Sequence, residues 1–271
     1  LSVEPVETEF GRKRRINQNT CNKDYSCVKG FCPSFVTVEG GQLRKPKKDT
    51  RIDPDSLPPL PEPRLPVATE AWGIVVAGVG GTGVVTIGAL IGMAAHLDGK
   101  GVTVLDMTGL AQKGGSVFSH IRIADDPEQL HAVRIAVGEA NAVIGGDVVV
   151  TASADALSRM AVGTTHGVVN CAETPTSEFT RNPDWVFPLD KMQAAIVEAV
   201  GREGCSFLDA GALATALLGD AIATNLFLLG FAWQKGWVPV SEASLDKAIV
   251  MNGAAVEMNR QAFLWGRRAA V

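Results

Sequence analysis

A glycine-rich segment between an apolar stretch and a helix-forming stretch limits the possible fold most strongly. Residues 78–83 read Gly-Val-Gly-Gly-Thr-Gly and follow the apolar run 73–77. That run is short, rich in β-branched residues and ended by glycine, which predicts a buried strand. Residues 84–97 predict a helix. A strand, a tight turn and a helix in direct succession are typical of α/β domains.

The same alternation continues to the end of the chain. We predict further strands at residues 102–106, 116–123, 147–151, 167–170 and 206–209. Further helices are predicted at residues 154–160, 190–202, 213–218, 221–235, 241–250 and 252–267. Strands separated by helices pair in parallel, and the helices cover both faces of the sheet. The predicted fold class is therefore α/β, with a Rossmann-like, mostly parallel sheet.

Composition divides the 271 residues into three regions. Residues 1–41 are polar and basic, and residues 42–69 form a linker in which seven prolines fall between Pro46 and Pro66. Proline fixes φ and lacks an amide donor, so the linker is expected to run extended over a surface. Residues 70–271 form the α/β domain. The chain does not begin with Met, and we expect that its first residue is not the native N-terminus.

Charge is distributed unevenly along the chain. Residues 1–51 carry 11 Lys and Arg against 6 Asp and Glu, a net +5, so the remaining residues are near −9 in a total of −4. No aromatic residues alternate with the basic ones, so nucleic-acid binding is not expected. A solvated basic face and a docking face for an acidic protein both remain open. Residues 1–4 lack the basic start of a signal peptide, and glycines interrupt the uncharged run 73–95, so a cytoplasmic, non-membrane protein is expected.

The glycine-rich turn can serve more than one purpose. Glycines let the backbone approach an anion, and a helix N-terminus presents unpaired N–H groups. Asp106 ends the second predicted strand, where a nicotinamide enzyme binds ribose. Binding of NAD or FAD, binding of another phosphate-bearing ligand, and a purely structural turn all remain open from these residues alone.

Three cysteines lie together near the N-terminus. Cys21, Cys27 and Cys32 have the spacing C-x5-C-x4-C, followed by Pro33. This spacing differs from the cysteine spacing that is common in ferredoxins. A structural zinc site would need a fourth ligand, which is not found nearby. A disulfide would leave one of the three cysteines unpaired. From the residues alone, an iron–sulfur site is therefore one of several possible roles for the three cysteines.

The remaining candidate residues favour structural roles. Cys171 and Cys205 are expected in the core. His120 lies in an alternating strand and is expected to be structural. We assign no catalytic side chain. Aromatic residues at helical spacing predict a core or a subunit interface: Phe227, Phe231, Trp233 and Trp237.

Several motifs resemble one known family in the order in which they occur. The run Ala-Gln-Lys-Gly-Gly-Ser-Val at 111–117 is followed by Ser-His-Ile-Arg at 119–122. The other segments that carry the resemblance are residues 14–35, 78–84, 146–150, 225–230 and 248–267. Together they resemble the gamma domain of 2-oxoacid:ferredoxin oxidoreductases, and most closely the long, fused indolepyruvate ferredoxin oxidoreductases.

The resemblance implies a role in a larger enzyme. Such an enzyme uses thiamine diphosphate to convert an aryl 2-oxoacid and CoA to acyl-CoA, and it passes electrons through iron–sulfur clusters to ferredoxin. No thiamine-binding segment is recognisable here, so the isolated chain is expected to be inactive and to associate with thiamine-binding domains in an oligomer. Residues 1–41 are then expected to be a small, partial ferredoxin-like iron–sulfur segment. In it, Cys21, Cys27 and Cys32 are expected to ligate a 4Fe–4S cluster, with the missing ligand upstream.

The resemblance also names a candidate binding site. It comprises turn and loop residues that are expected to contact CoA or the thiamine-binding domain: Gly78, Gly80, Gly81, Thr82, Gly83, Gln112, Lys113, Gly114 and Gly115. Lys113 would pair with a phosphate or carboxylate, or would simply be a surface lysine. A free-standing NAD or FAD oxidoreductase and a non-catalytic scaffold remain the alternatives.

Overall fold

The computed structural model describes residues 3–16, 29, 39–42, 57–109, 115–175, 177–182 and 184–271. Two groups of predicted site residues lie outside these ranges. One is the cysteine group Cys21, Cys27 and Cys32, and the other is the loop group Gln112, Lys113 and Gly114. The N-terminal region forms an antiparallel hairpin of β1 (Val3–Thr8) and β2 (Gly11–Ile16). Residues 57–68 contain neither helix nor strand, and the Pro61 carbonyl oxygen accepts a hydrogen bond from Gln234.

A six-stranded sheet forms the centre of the α/β domain. Its strands are β3 (Trp72–Val79), β4 (Gly101–Thr108), β5 (Ser116–Ala124), β6 (Ala142–Gly145), β7 (His166–Asn170) and β8 (Cys205–Leu208). They lie in the order β4-β5-β3-β6-β7-β8. Strand β5 pairs antiparallel with both of its neighbours, while β3, β6, β7 and β8 pair in parallel. The predicted mostly parallel α/β sheet is confirmed.

Helices cover both faces of this sheet. They are α1 (Val84–Leu97), α2 (Val148–Thr151), α3 (Ala154–Arg159), α4 (Leu189–Val200), α5 (Ala210–Leu218), α6 (Thr224–Gln234), α7 (Glu242–Asn252) and α8 (Val256–Ala269). Side chains alternate between the faces along β3 because successive strand residues point in opposite directions. Ile74 and Val76 join the core formed with α1 and α5–α8, whereas Val75 and Ala77 join the core formed with α2, α3 and α4. No helix in the described part of the chain has the length and apolar composition needed to cross a bilayer.

One predicted strand is wrong. Residues 147–151 do not form a strand: the strand of this region is β6, and residues 148–151 form the short helix α2. The reason lies in Asp147, whose side chain accepts a hydrogen bond from the Val150 amide at 2.8 Å and so caps the helix. A run of buried valines has no periodicity that separates a strand from a helix, so the capping residue decides.

Helices α6 and α8 cross at two glycines. A Cβ atom at Gly230 would overlap the carbonyl oxygen of Phe263, and one at Gly266 would overlap that of Phe227. The backbones are therefore in direct contact. Around the crossing, Phe227, Phe231 and Trp233 are buried as predicted, and Trp237 stacks on His166 with ring centroids 5.5 Å apart.

His120 binds the segment between β5 and β6 to the sheet. The His120 side chain is 1% exposed, and its Nδ1 accepts a hydrogen bond from the Ile135 amide at 3.3 Å. Arg122 donates to the carbonyl oxygen of Arg134, and Arg159 donates to that of Ile135. The three side chains together hold the chain between β5 and β6, which gives His120 a structural role.

We expect this contact to make stability depend on pH. Burial lowers the pKa of His120 from its ordinary value of 6.5, and the neighbouring Arg159 and Arg134 lower it further. Below about pH 6.5 the unfolded chain binds a proton that folded His120 does not, so the free energy of unfolding falls as the pH falls. His120→Gln keeps an acceptor but cannot titrate, and it should flatten this slope in urea unfolding between about pH 7.5 and 5.5. The same substitution at exposed His131 is the control. An unchanged slope in His120→Gln would contradict the assignment.

Candidate functional site

The glycine-rich turn lies at the carboxyl end of β3, at the edge where α/β sheets bind ligands. Thr82 closes the turn, because its amide and its hydroxyl both donate to the Val79 carbonyl oxygen, at 3.0 and 2.7 Å. The Gly80 amide donates to the Gly115 carbonyl oxygen at 2.8 Å. The structure thus brings the predicted residues Gly78, Gly80, Gly81, Thr82, Gly83 and Gly115 together in one place.

Gly81 and Gly83 both have a positive φ in this turn, and Gly83 is also closely packed. Its φ is +79°, and a Cβ atom there would overlap the side-chain amide of Asn225 at the start of α6. The left-handed backbone favours glycine here, and a larger residue would also have to displace the Asn225 side chain. Gly83 also precedes α1 without a side-chain cap, so the first-turn amides of α1 face the edge of the sheet. These amides are suited to an anion.

A buried carboxylate accepts a hydrogen bond from the glycine-rich turn. Asp147 is 4% exposed, and its Oδ2 accepts from the Val79 amide at 2.6 Å while its Oδ1 accepts from the Val150 amide. Burial raises the pKa of Asp147, and the hydrogen bonds from Val150 and Val79 oppose that rise. The side chain joins the turn to α2, so it positions the turn. Sequence reasoning missed this role, although an Asp ahead of a β-branched run is a common helix cap.

Asn170 connects the neighbouring strands at the same edge. Its Nδ2 donates to the Gly146 carbonyl oxygen at 3.1 Å, and its Oδ1 accepts from the Ala210 amide at 3.1 Å. Asp209 caps α5 next to it by accepting from the Ala212 amide. The arrangement can bind and orient a ligand or a partner. Among the described residues, no group of three or more His, Cys, Asp or Glu side chains is placed to hold a metal ion.

The position of Asp106 does not suit a nicotinamide site. In such sites the ribose-binding carboxylate ends the strand beside the glycine turn. Here β5 lies between β3 and β4, so Asp106 is two strand spacings, about 10 Å, from β3. Its Oδ1 instead lies 3.5 Å from where a Cβ at Gly88 would be, on the middle of α1.

The two described cysteines are partly buried at strand ends. Burial raises the pKa of Cys205 to about 12, and burial followed by the nearby Asp209 raises the pKa of Cys171. Both thiols therefore stay protonated at neutral pH, which suits packing rather than nucleophilic or metal chemistry.

Comparisons with known proteins agree with this fold. Residues 73–269 match the family described as pyruvate ferredoxin/flavodoxin oxidoreductase. The indolepyruvate oxidoreductase subunit IorB of Thermococcus kodakarensis is 28% identical over 203 residues, which cover 73% of this chain and 96% of that protein.

Solved structures show the same fold. The gamma subunit of keto/oxoacid ferredoxin oxidoreductase from Geobacter sulfurreducens is 21% identical with a TM-score of 0.51, over 74% of this chain and 96% of that one. The 2-oxoglutarate:ferredoxin oxidoreductase from Magnetococcus marinus, solved with 2-oxoglutarate, coenzyme A and succinyl-CoA, is 17% identical with a TM-score of 0.53. That match covers 74% of this chain and 31% of the other.

The resemblance inferred from the sequence motifs is thereby confirmed. The family match covers residues 73–269, which is most of the chain and includes all of the central sheet except the first residue of β3, Trp72. This chain belongs to the pyruvate ferredoxin/flavodoxin oxidoreductase family.

Proposed function

We propose that this chain is the gamma-type component of a thiamine-diphosphate-dependent 2-oxoacid:ferredoxin oxidoreductase that acts on an aryl 2-oxoacid such as indolepyruvate. The alignment with a subunit named for indolepyruvate, over 96% of that subunit, carries the proposal. The family consists of oxidoreductases, and the displaced Asp106 removes the main support for a nicotinamide enzyme.

The geometry of the turn supports a binding and organising role. The Val79 and Gly80 amides already have partners in Asp147 and Gly115, and the first turn of α1 offers amides to an anion. The described residues at this edge provide no nucleophile with an adjacent base. The oxidative decarboxylation then takes place on a partner, where thiamine diphosphate supplies the electron sink for loss of carbon dioxide.

Two groups of residues outside the described ranges complete the proposal. Lys113, two residues before Gly115 in the sequence, is proposed to pair with an anionic group of CoA or of the partner. Cys21, Cys27 and Cys32 are proposed to ligate part of a 4Fe–4S cluster that passes electrons to ferredoxin in the cytoplasm. Both assignments follow from the resemblance to the family.

The test compares the whole native enzyme with the isolated chain. The native assembly that contains this sequence should reduce ferredoxin when supplied with indolepyruvate, CoA and thiamine diphosphate, whereas the isolated 271-residue chain should show no turnover. Calorimetric titration of the isolated chain with NADH is the control, together with Asp106→Ala. Tight NADH binding that Asp106→Ala abolishes, together with carbonyl reduction by the isolated chain, would overturn the proposal in favour of a dinucleotide enzyme.

A further inference from the structure

Four buried polar atoms that have no hydrogen-bond partner lie together on one face of the sheet. The described part of the chain has six such side-chain atoms, and four of them belong to Thr103, His120, Arg122 and Arg159. Thr103 of β4 pairs with Arg122 of β5, and His120 lies two residues before Arg122 on the same side of that strand. Arg159 ends α3 and donates to the Ile135 carbonyl oxygen, while the Ile135 amide donates to His120. Most buried polar groups in proteins are paired, so this cluster points to a ligand.

The chemistry of these atoms determines what kind of ligand fits. Nδ1 of His120 accepts a hydrogen bond, so in the neutral imidazole the proton lies on Nε2, the nitrogen that has no partner. The unpaired atom of Arg122 and of Arg159 is Nε, which can only donate. The Thr103 hydroxyl can donate as well. A ligand that satisfies these groups must therefore accept hydrogen bonds.

The charged groups around the patch leave one positive charge in excess. Arg122 forms an ion pair with Glu139, whereas Arg134 and Arg159 share the single carboxylate of Asp155. Three guanidinium groups thus face two carboxylates, and one further negative charge would balance them. The side chains of Arg122 and Arg159 are 15% and 11% exposed, so an ion can reach both guanidinium groups from the solvent.

We infer that this patch is a binding site for one small monovalent anion of the halide class, held by Nε2 of His120 and by Nε of Arg122 and Arg159. The anion fixes the segment between β5 and β6 on the sheet, because the same side chains bind the backbone of that segment. His120 pairs with Val75 of β3, three residues or about 10 Å before Gly78, so the site is separate from the glycine-rich turn. The inference is independent of the proposed function.

Urea unfolding of the 271-residue chain at constant ionic strength tests the site, with sodium chloride replacing sodium gluconate. An anion that binds only the folded chain should lower the equilibrium constant for unfolding at least about fivefold between about 10 mM and 1 M chloride. Arg159→Gln removes one of the donors and should change less than about twofold over that range. A general salt effect would act equally on the parent and on Arg159→Gln, so equal responses would overturn the inference.

Arg134→Gln is the matched control. Arg134 is 50% exposed and contributes a positive charge to the same patch, but it is not one of the residues with a buried unpaired atom. This variant should therefore keep at least about half of the chloride effect on the logarithm of the equilibrium constant. Loss of the effect in Arg134→Gln as complete as in Arg159→Gln would show a response to net charge and would contradict a site built from specific donors.

Anomalous diffraction from crystals of the same chain grown in sodium bromide gives a second measurement, which does not depend on how well a variant folds. Bromide should give an anomalous peak within hydrogen-bonding distance of Nε2 of His120 and Nε of Arg159. A water molecule at that position, without an anomalous signal, would overturn the inference, because a neutral acceptor would then satisfy the donors. Bromide peaks confined to the exposed surface would have the same meaning.

Discussion

Replacing Gly266 by alanine is expected to lower the free energy of unfolding by about 3–5 kcal/mol, because the added methyl group would overlap the carbonyl oxygen of Phe227. Gly230→Ala, which would meet the carbonyl oxygen of Phe263, should cost a similar amount. A backbone atom cannot rotate away as a side chain can, so α6 and α8 must move apart. That movement loosens the packing around Trp233, which is almost completely buried. Urea unfolding followed by circular dichroism measures the loss.

Gly211→Ala is the control for both substitutions. Gly211 lies within α5, and a Cβ there would be 3.6 Å from its nearest neighbour, an ordinary contact. Alanine forms helices better than glycine, so this variant should keep its stability or gain about 0.5–1 kcal/mol. The double variant Gly230→Ala/Gly266→Ala should cost less than the sum of the single losses, since one separation of the helices relieves both overlaps. A Gly266→Ala protein within about 1 kcal/mol of the parent would show that the two backbones do not touch.

Asp147→Ala should destabilise the protein by about 2–4 kcal/mol, because it leaves the buried Val79 and Val150 amides without an acceptor. Asp147→Asn keeps one acceptor oxygen and should lose less. Faster amide hydrogen exchange at Val79 would place the defect at the glycine turn. Such a readout separates the loss of a turn contact from a general loss of stability.

Asp209→Ala supplies the matched comparison. Asp209 also caps a helix, but it is exposed and accepts one hydrogen bond, from the Ala212 amide at 2.8 Å. Its loss should cost about 1 kcal/mol, the usual effect of removing a helix cap. Equal losses at Asp147 and Asp209 would mean that Asp147 acts as an ordinary cap and does not position the turn.

Local patterns predicted the elements that have clear boundaries. Helix α1 was predicted with its observed ends, since a glycine precedes it and glycine and lysine follow it. The mostly parallel sheet follows from the alternation of strands and helices. The position of β5 between β3 and β4 was not predicted, because chain order does not fix the spatial order of strands. The valines at 148–150 misled the prediction, because a short buried run suits a strand and a helix equally.

In the candidate site, too, features set by neighbouring residues could be predicted from the sequence, whereas contacts between distant residues could not. The turn from Gly78 to Gly83 could be predicted because the spacing of its glycines is a local signal, and its binding role stays a prediction. The contact between Asp147 and Val79 joins residues 68 positions apart, and no local pattern encodes it. The contact of Asn225 with Gly83 was missed for the same reason. The roles of Lys113 and the N-terminal cysteines remain predictions.

Helices α6 and α8 follow all six strands of the sheet in chain order, and this order matters during synthesis. The ribosome completes every strand of the sheet before α6 emerges, and α6 is the helix that packs beneath β6 and β7. Until then the side chains of Ile144 and Val168 lack the cover that α6 provides on that face. Partly folded chains with such exposed apolar surface are prone to aggregate, which chaperones counteract. A stop codon shortly before Thr224 would therefore release a complete sheet that lacks α6, α7 and α8 on one face, a substrate for proteases rather than a smaller working domain.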